Sequence, residues 1–247
     1  MINIFRKIRK NMLTENKFSK YLIYAIGEIT LVIIGILMAL AINDWKNEQR
    51  IHSEETATLQ KLIQDLNSDN KRYLSNIEFY TGFRDYLKSA KDIIFKEALS
   101  DDEIKEVMFF YGATHKNLNP RTTTYDEMLN SGRIYSLSNE DLVNNILAYY
   151  QFLDESIYQN KEQRKEFRAL FYGSDFTDFW FWRSEKEPFP YAKAFFSSND
   201  SPAYRKLKQS SGWSLSINND LLNNNTELLK SNNELIEFIR IELTNKK

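Results

Sequence analysis

The residues that could do chemistry are few and scattered. The 247-residue chain has two histidines, His52 and His115, and no cysteine. That composition excludes thiol nucleophiles, Cys-ligated zinc or iron–sulfur centres and disulfide frameworks, and the two histidines have no companion residues at metal-ligand spacing. There is no Gly-rich phosphate loop, G-x-S-x-G elbow or H-E-x-x-H helix. Asp101-Asp102 sits between Ser100 and Glu103, the pattern of a helix start, where negative charge is favourable. The chain therefore reads as a non-enzyme with no cofactor, no metal and no small molecule named by any motif. Two features remain. One is Glu28, alone among apolar residues; the other is an aromatic segment at 171–196 that includes Trp180, Trp182, Phe189 and Tyr191.

Glu28 draws attention to how unevenly charge is spread. The net charge of −1 hides three blocks. Residues 1–20 carry six basic side chains against Glu15, residues 21–42 carry Glu28 alone, and residues 43–247 hold 27 basic and 32 acidic side chains. Nucleic-acid binding is unsupported, because the only basic block is a short tail suited to anionic lipid headgroups. The stretch 21–42 has 22 residues, enough as a helix to cross a hydrocarbon core of about 30 Å. Tyr21 and Tyr24 at one end and Trp45 at the other stand where interfacial aromatics belong, and the basic excess before the span orients it N-in, C-out. A cleaved signal peptide is the competing reading, with Ala39-Leu40-Ala41 as the cleavage site, and it places the bulk of the chain on the same side.

Within the span, steps of three and four residues from Tyr21 pass through Ala25, Glu28, Val32, Gly35, Ala39 and Ile42. Ala25, Gly35 and Ala39 are small enough to admit a second helix, so the seam predicts association with a membrane protein partner or a homo-oligomer. An acid at this depth either packs, paired or snorkelling, or couples to ion movement.

The run FRKIRKNMLTENKFSKYLIYAIGEITLVIIGILMALAINDW resembles the N-terminal signature of a Bacteroidota family of small single-span membrane proteins of unknown function. TTTYDEMLNSGRIYSLSNEDLVNNILAYY, Thr122 to Tyr150, resembles that family's second recurring block, a Thr-Tyr pair, then Ser-Gly, then a helix ending in Tyr-Tyr. The resemblance implies a Gram-negative inner membrane with the C-terminal part periplasmic, and it implies no activity. The aromatic segment and the tail look less typical of the family.

Beyond the span, Leu59, Ile63, Leu66, Tyr73, Ile77, Tyr80, Leu87 and Ile94 recur at helical steps with Asn70 as the polar break, predicting a long stalk helix over 43–98. Ser100 caps a short helix, Thr124 another that ends at Gly132, and Ser138-Asn139 starts a long one towards Leu170. From about Ser216, Leu221-Leu222, Leu228-Leu229 and Leu235-Ile236 repeat every seven residues, with the Asn-rich positions between them on the wet side. The expected fold is all-α: a basic cytoplasmic tail (1–20), a transmembrane helix (21–42), a juxtamembrane stalk (43–98), and a periplasmic helical domain (99–247). The transmembrane helix would lead into a periplasmic bundle of three to four long helices. The aromatic segment either caps the bundle as core or offers a surface to a partner, with Arg183, Lys186 and Arg205 suited to an anionic one. The functional expectation is a membrane-anchored periplasmic scaffold, adaptor or accessory subunit. Its alternatives are a subunit of an ion-coupled envelope machine using Glu28, and a periplasmic ligand-sensing module.

Overall fold

The computed structural model describes residues 18–112, 114–172 and 181–245, with side chains from Leu22 onward except those of Leu170 and Tyr172. The basic tail, the Tyr21 side chain and Trp180 lie outside the described residues. The fold is all-α, with no strand among the described residues. Among the described residues, six α-helices follow one another: α1 Phe18–Ile94, α2 Asp101–Val107, α3 Thr123–Asn130, α4 Glu140–Tyr172, α5 Phe189–Phe196 and α6 Pro202–Asn245. Short 3-10 turns at Arg133–Ser136 and Phe181–Ser184 complete the order. Three helices are long, at 77, 33 and 44 residues.

The chain divides into two units, Met1–Ala57 and Thr58–Lys247. The described part of the first is helix only. From Leu22 to Ile42 its large apolar side chains are exposed, from 46% for Ile34 to 74% for Leu31. This is the one helix, among those described, long and apolar enough to cross a membrane. Span and stalk are a single helix, and the stretch expected as a stalk packs as bundle from Thr58 onward.

The second unit is built on a seven-residue repeat. In α1 the buried side chains run Leu59, Leu66, Tyr73, Tyr80, Leu87 and Ile94 on one line, and Leu62, Asp69, Asn76 and Ala90 on the other. The polar positions in this seam are therefore Asp69 and Asn76; Ile63, Asn70 and Ile77 sit half-buried at its edge. In α4, Leu142, Ile146, Tyr149, Leu153, Ser156, Asn160 and Phe167 continue the same rule. Helix α6 begins at Pro202, not near Ser216, because Pro is favourable at a first helical position and Ser201 Oγ accepts the Tyr204 N–H at 3.1 Å. Its Leu221, Leu228 and Leu235 are buried as the doublets predict. Asn218, Asn225 and Asn232 are not on the wet side, however; they are sealed in the core at no more than 1% exposure.

Those asparagines have partners on α1. Asn232 Nδ2 donates to the Leu66 carbonyl at 2.7 Å and to Asn70 Oδ1 at 2.7 Å, Asn225 Oδ1 accepts from Asn76 at 3.0 Å, and Asn218 Nδ2 donates to the Tyr80 carbonyl at 2.9 Å. Tyr204 extends the series, its hydroxyl donating to the Ile94 carbonyl at 2.9 Å. Numbers fall along α1 as they rise along α6, so the two helices are antiparallel. Two apolar clusters flank the amides, one around Trp182, Leu87 and Tyr204, the other around Leu66, Met128 and Leu228.

Local starts and stops follow familiar chemistry. Ser100 Oγ accepts the Glu103 N–H at 3.3 Å while Glu103 Oε2 accepts the Ser100 N–H at 2.8 Å, a reciprocal capping box. Lys96 and this cap hold the Glu103 carboxyl down to about 2. Thr122, not Thr124, precedes α3, and Gly132 ends that helix with φ 72°, a left-handed conformation open to glycine. Gly112 is required for a different reason. A Cβ there would lie 2.4 Å from Phe171 Cζ and 2.7 Å from Ser214 Oγ, so the backbone passes between α4 and α6 only without a side chain. Gly112→Ala is expected to destabilise the protein by about 1–3 kcal/mol in chemical denaturation, as overpacking does. The exposed mid-helix Gly82, whose added Cβ would meet nothing within 4 Å, should instead gain about 0.5–1 kcal/mol as Gly82→Ala.

Candidate functional site

The described residues 110–112 and 114–122, between α2 and α3, form no regular secondary structure, yet they cross the bundle. A backbone without helix or sheet must find its hydrogen bonds elsewhere, and here side chains of α1 and α4 supply them. Tyr86 Oη accepts the Tyr111 N–H at 3.1 Å. Tyr80 Oη accepts the Lys116 N–H at 2.9 Å and donates to the Lys116 carbonyl at 3.1 Å. Asn160 of α4 accepts the Leu118 N–H and donates to the Lys116 carbonyl, both at 3.3 Å. Arg72 donates to the Asn119 carbonyl. Both oxygens of Asp69 accept the Arg121 N–H at 3.0 Å, and Asp65 Oδ2 takes the Thr124 hydroxyl at 2.5 Å and its N–H at 3.3 Å. The segment is thus a strap running antiparallel to α1.

The far end of the strap is dense in hydroxyls and carboxyls. Tyr125, just past Asp65's partner Thr124, stacks on Tyr150 of α4 with ring centroids 3.8 Å apart and planes 5° from parallel. The Tyr73 and Tyr149 hydroxyls meet at 3.2 Å in the interior. Tyr150 Oη is buried and has no protein partner among the described residues. The two ends of the Thr122–Tyr150 block, its Thr-Tyr and Tyr-Tyr pairs, therefore meet here. Burial pushes all three phenols, Tyr73, Tyr149 and Tyr150, upward, so they remain neutral donors. Burial also raises the Asp69 carboxyl from 3.8 to about 6, with nearby Asp65 adding to the rise; the Arg121 N–H, Arg72 and Arg121 oppose it. At the near end, burial and repulsion from Arg164 and Arg168 depress the pKa of the half-buried His115.

The residues singled out from sequence fall elsewhere. Ala25, Glu28, Gly35 and Ala39 share one side of the described span by their three- and four-residue spacing. A Cβ on Gly35 would meet nothing within 4 Å, so that face is open to close approach. Trp182 is fully buried, its indole N–H donating to the Met108 carbonyl at 2.8 Å, with Phe195 and Phe196 against its ring. It holds the core and presents nothing to a partner. Phe189 is half-buried under Lys105, and Tyr191, packed edge-on against Phe181, is 46% exposed. Among the described residues, no group of three or more His, Cys, Asp or Glu is placed to hold a metal ion.

Sequence reasoning passed over Asp65, Asp69 and their tyrosines. A signal was present: counting sevens from Leu62 reaches Asp69 and then Asn76, which marks both as interior. Because the folded Asp69 carboxyl is the weaker acid, its contribution to stability is complete below about pH 4 and lost as pH rises through about 6. Asp69→Asn keeps an acceptor for Arg121 without the charge. Its stability relative to wild type is expected to rise across pH 4–6 and reach up to about 3 kcal/mol at pH 7.5, read from paired denaturation curves. Parallel curves across that range would exclude titration of Asp69.

No curated protein and no solved structure matches the chain. A family model does, over residues 28–170, from Glu28 through the strap and its carboxylates to the last turn of α4 before the aromatic segment. The chain accordingly belongs to a family of unknown function, DUF6090.

Proposed function

We propose that the protein is a membrane-anchored helical scaffold or adaptor that works by association and carries out no reaction of its own. The observation that carries this reading is the apolar surface from Leu22 to Ile42, exposed on every side of the helix. At roughly 25 cal/mol per Å² of apolar area, leaving such a surface in water is prohibitive, and lipid removes the cost. In contrast, the second unit buries its own apolar seams in two closed clusters.

The basic excess of residues 1–20 and its absence beyond the span support an N-terminus in the cytoplasm and a bundle in the periplasm of a bacterial inner membrane. The open side at Ala25, Gly35 and Ala39 suits a second helix in the bilayer, either a partner's or another copy's. A reporter fused after Lys247 is expected to be active only when it works outside the cytoplasm; cytoplasmic activity would overturn the orientation. Gly35→Leu should abolish crosslinking between spans in native membranes while leaving the bundle's melting unchanged.

A second reading rests on Glu28, which lies on that same side and is costly to bury in lipid. It would carry a proton for an ion-coupled envelope machine. Glu28→Gln separates the two, since an adaptor keeps its assembly and pathway output after that change and an ion-coupled subunit loses output with assembly intact.

A further inference from the structure

The strap and α1 enclose a cleft of about 320 Å³, at the lower end of the range for small-molecule sites. Lys71, Arg72 and Ser75 line it from α1, and Asn117 and Asn119 from the strap, while Leu118 and Pro120 give it an apolar wall. Both charged residues of the lining are cations. Beside it, Lys116 Nζ donates to the Ser75 hydroxyl at 3.0 Å, and Arg164 donates to Asn117 Oδ1 at 2.9 Å. The carboxylate beside Arg72, Asp69, is 1% exposed and already occupied by the Arg121 N–H, with Arg72 Nε 4.0 Å away. Lys71 is exposed and has no ion-pair partner among the described residues, so its ammonium is available.

We propose that this cleft binds a small molecule through a carboxylate or phosphate oxyanion, with Lys71 and Arg72 as the anion-binding pair and the exposed Asn117 and Asn119 amides as orienting donors. Several arguments converge on an anion. The side chains of the lining are rich in donors, and a guanidinium and an ammonium match an oxyanion in charge. Lys116 and Arg164, each bonded to a residue of the lining, add two further cations beside the cleft. The low dielectric of the apolar wall strengthens a pairing that water would screen on a flat surface. The site lies wholly within the residues the family model covers. Arg72 also joins the strap to Asp69, so an anion that draws its guanidinium away would loosen that joint. The site does not depend on the membrane orientation proposed above.

The test uses the full chain in phosphatidylcholine nanodiscs, titrated calorimetrically and by thermal melting with inorganic phosphate, succinate and glycerol 3-phosphate, and with NaCl at matched ionic strength. Saturable binding of at least one oxyanion is expected. Preference for succinate points to a carboxylate ligand, and preference for glycerol 3-phosphate over free phosphate points to an organic phosphate or a headgroup. Lys71→Gln, whose side chain bears no structural bond, should melt like wild type without ligand and bind on the order of tenfold more weakly, as loss of a charge-assisted hydrogen bond does. Arg72→Gln should weaken binding at least as much, whatever it does to stability. Absence of saturable binding to all three anions, an equal response to NaCl, or unchanged affinity in Lys71→Gln would each overturn the proposal.

Discussion

Everything in the second unit depends on the register between α1 and α6. The Tyr204 hydroxyl and the Asn218 and Asn232 amides reach the carbonyls of Ile94, Tyr80 and Leu66, stepping by fourteen residues on both helices. A slip of one residue would carry each amide off its carbonyl and into an apolar neighbour. Leucines alone would not impose this, since one heptad layer of Leu resembles the next. Buried amides exact a cost, because the side-chain oxygens of Asn218 and Asn232 find no protein partner among the described residues, and each such group forfeits roughly 1–3 kcal/mol. Specificity of pairing is the compensating gain, the same trade made by single polar residues in coiled coils.

The strap is a consequence of that register. Its side-chain partners on α1, from Tyr86 through Tyr80 and Arg72 to Asp65, lie along one side of a single helix, so the spacing of its hydrogen bonds is set by the helix. Rotate α1 and the partners leave together. Gly112 and Tyr80 fix one end against α4, α6 and α1, Asp65 and Asp69 fix the other, and the cleft at Asn117–Pro120 is the gap left where side chains bridge at intervals. A site built this way is held to the bundle by polar contacts together with two apolar anchors, Phe110 and Leu118, buried in its clusters.

The helices were readable in the sequence because their periodicity is local. Leu59 to Ile94 and Leu221 to Leu235 repeat on one strand of text, and the apolar run 21–42 needs no partner to be recognised. The burial of Asn218, Asn225 and Asn232 was not readable from hydropathy, because an amide is interior only when another helix offers it a carbonyl. Their seven-residue spacing, in step with the leucines, was the clue. Trp182 was ambiguous for the opposite reason, since a large ring serves equally as core or contact and only the Met108 carbonyl decides between them. The strap joint was hidden by distance along the chain, with Asp65 and Thr124 far apart in sequence and Tyr125 and Tyr150 on separate helices. The place of Asp69 seven residues after Leu62 marks it as interior, but nothing beside either carboxylate in sequence names its partner.

The two kinds of buried polar group divide the work by how they respond to protons. The α1–α6 ladder uses amides, a phenol and backbone carbonyls, none of which changes charge between pH 4 and 8, so the pairing of the long helices is indifferent to pH in that range. The strap is fastened at its far end by carboxylates, one of them, Asp69, titrating near 6 with Arg72 and Asp65 beside it, while the buried positions of α6 from Ile217 to Ile239 carry no charge. The joint beside the cleft thereby carries a sensitivity to protons that the helix ladder lacks. An anion competing for Arg72 would act on the same joint, because withdrawing a cation from Asp69 raises its proton affinity further. Ligand and proton would then bind cooperatively at the strap while the helices beneath keep their register.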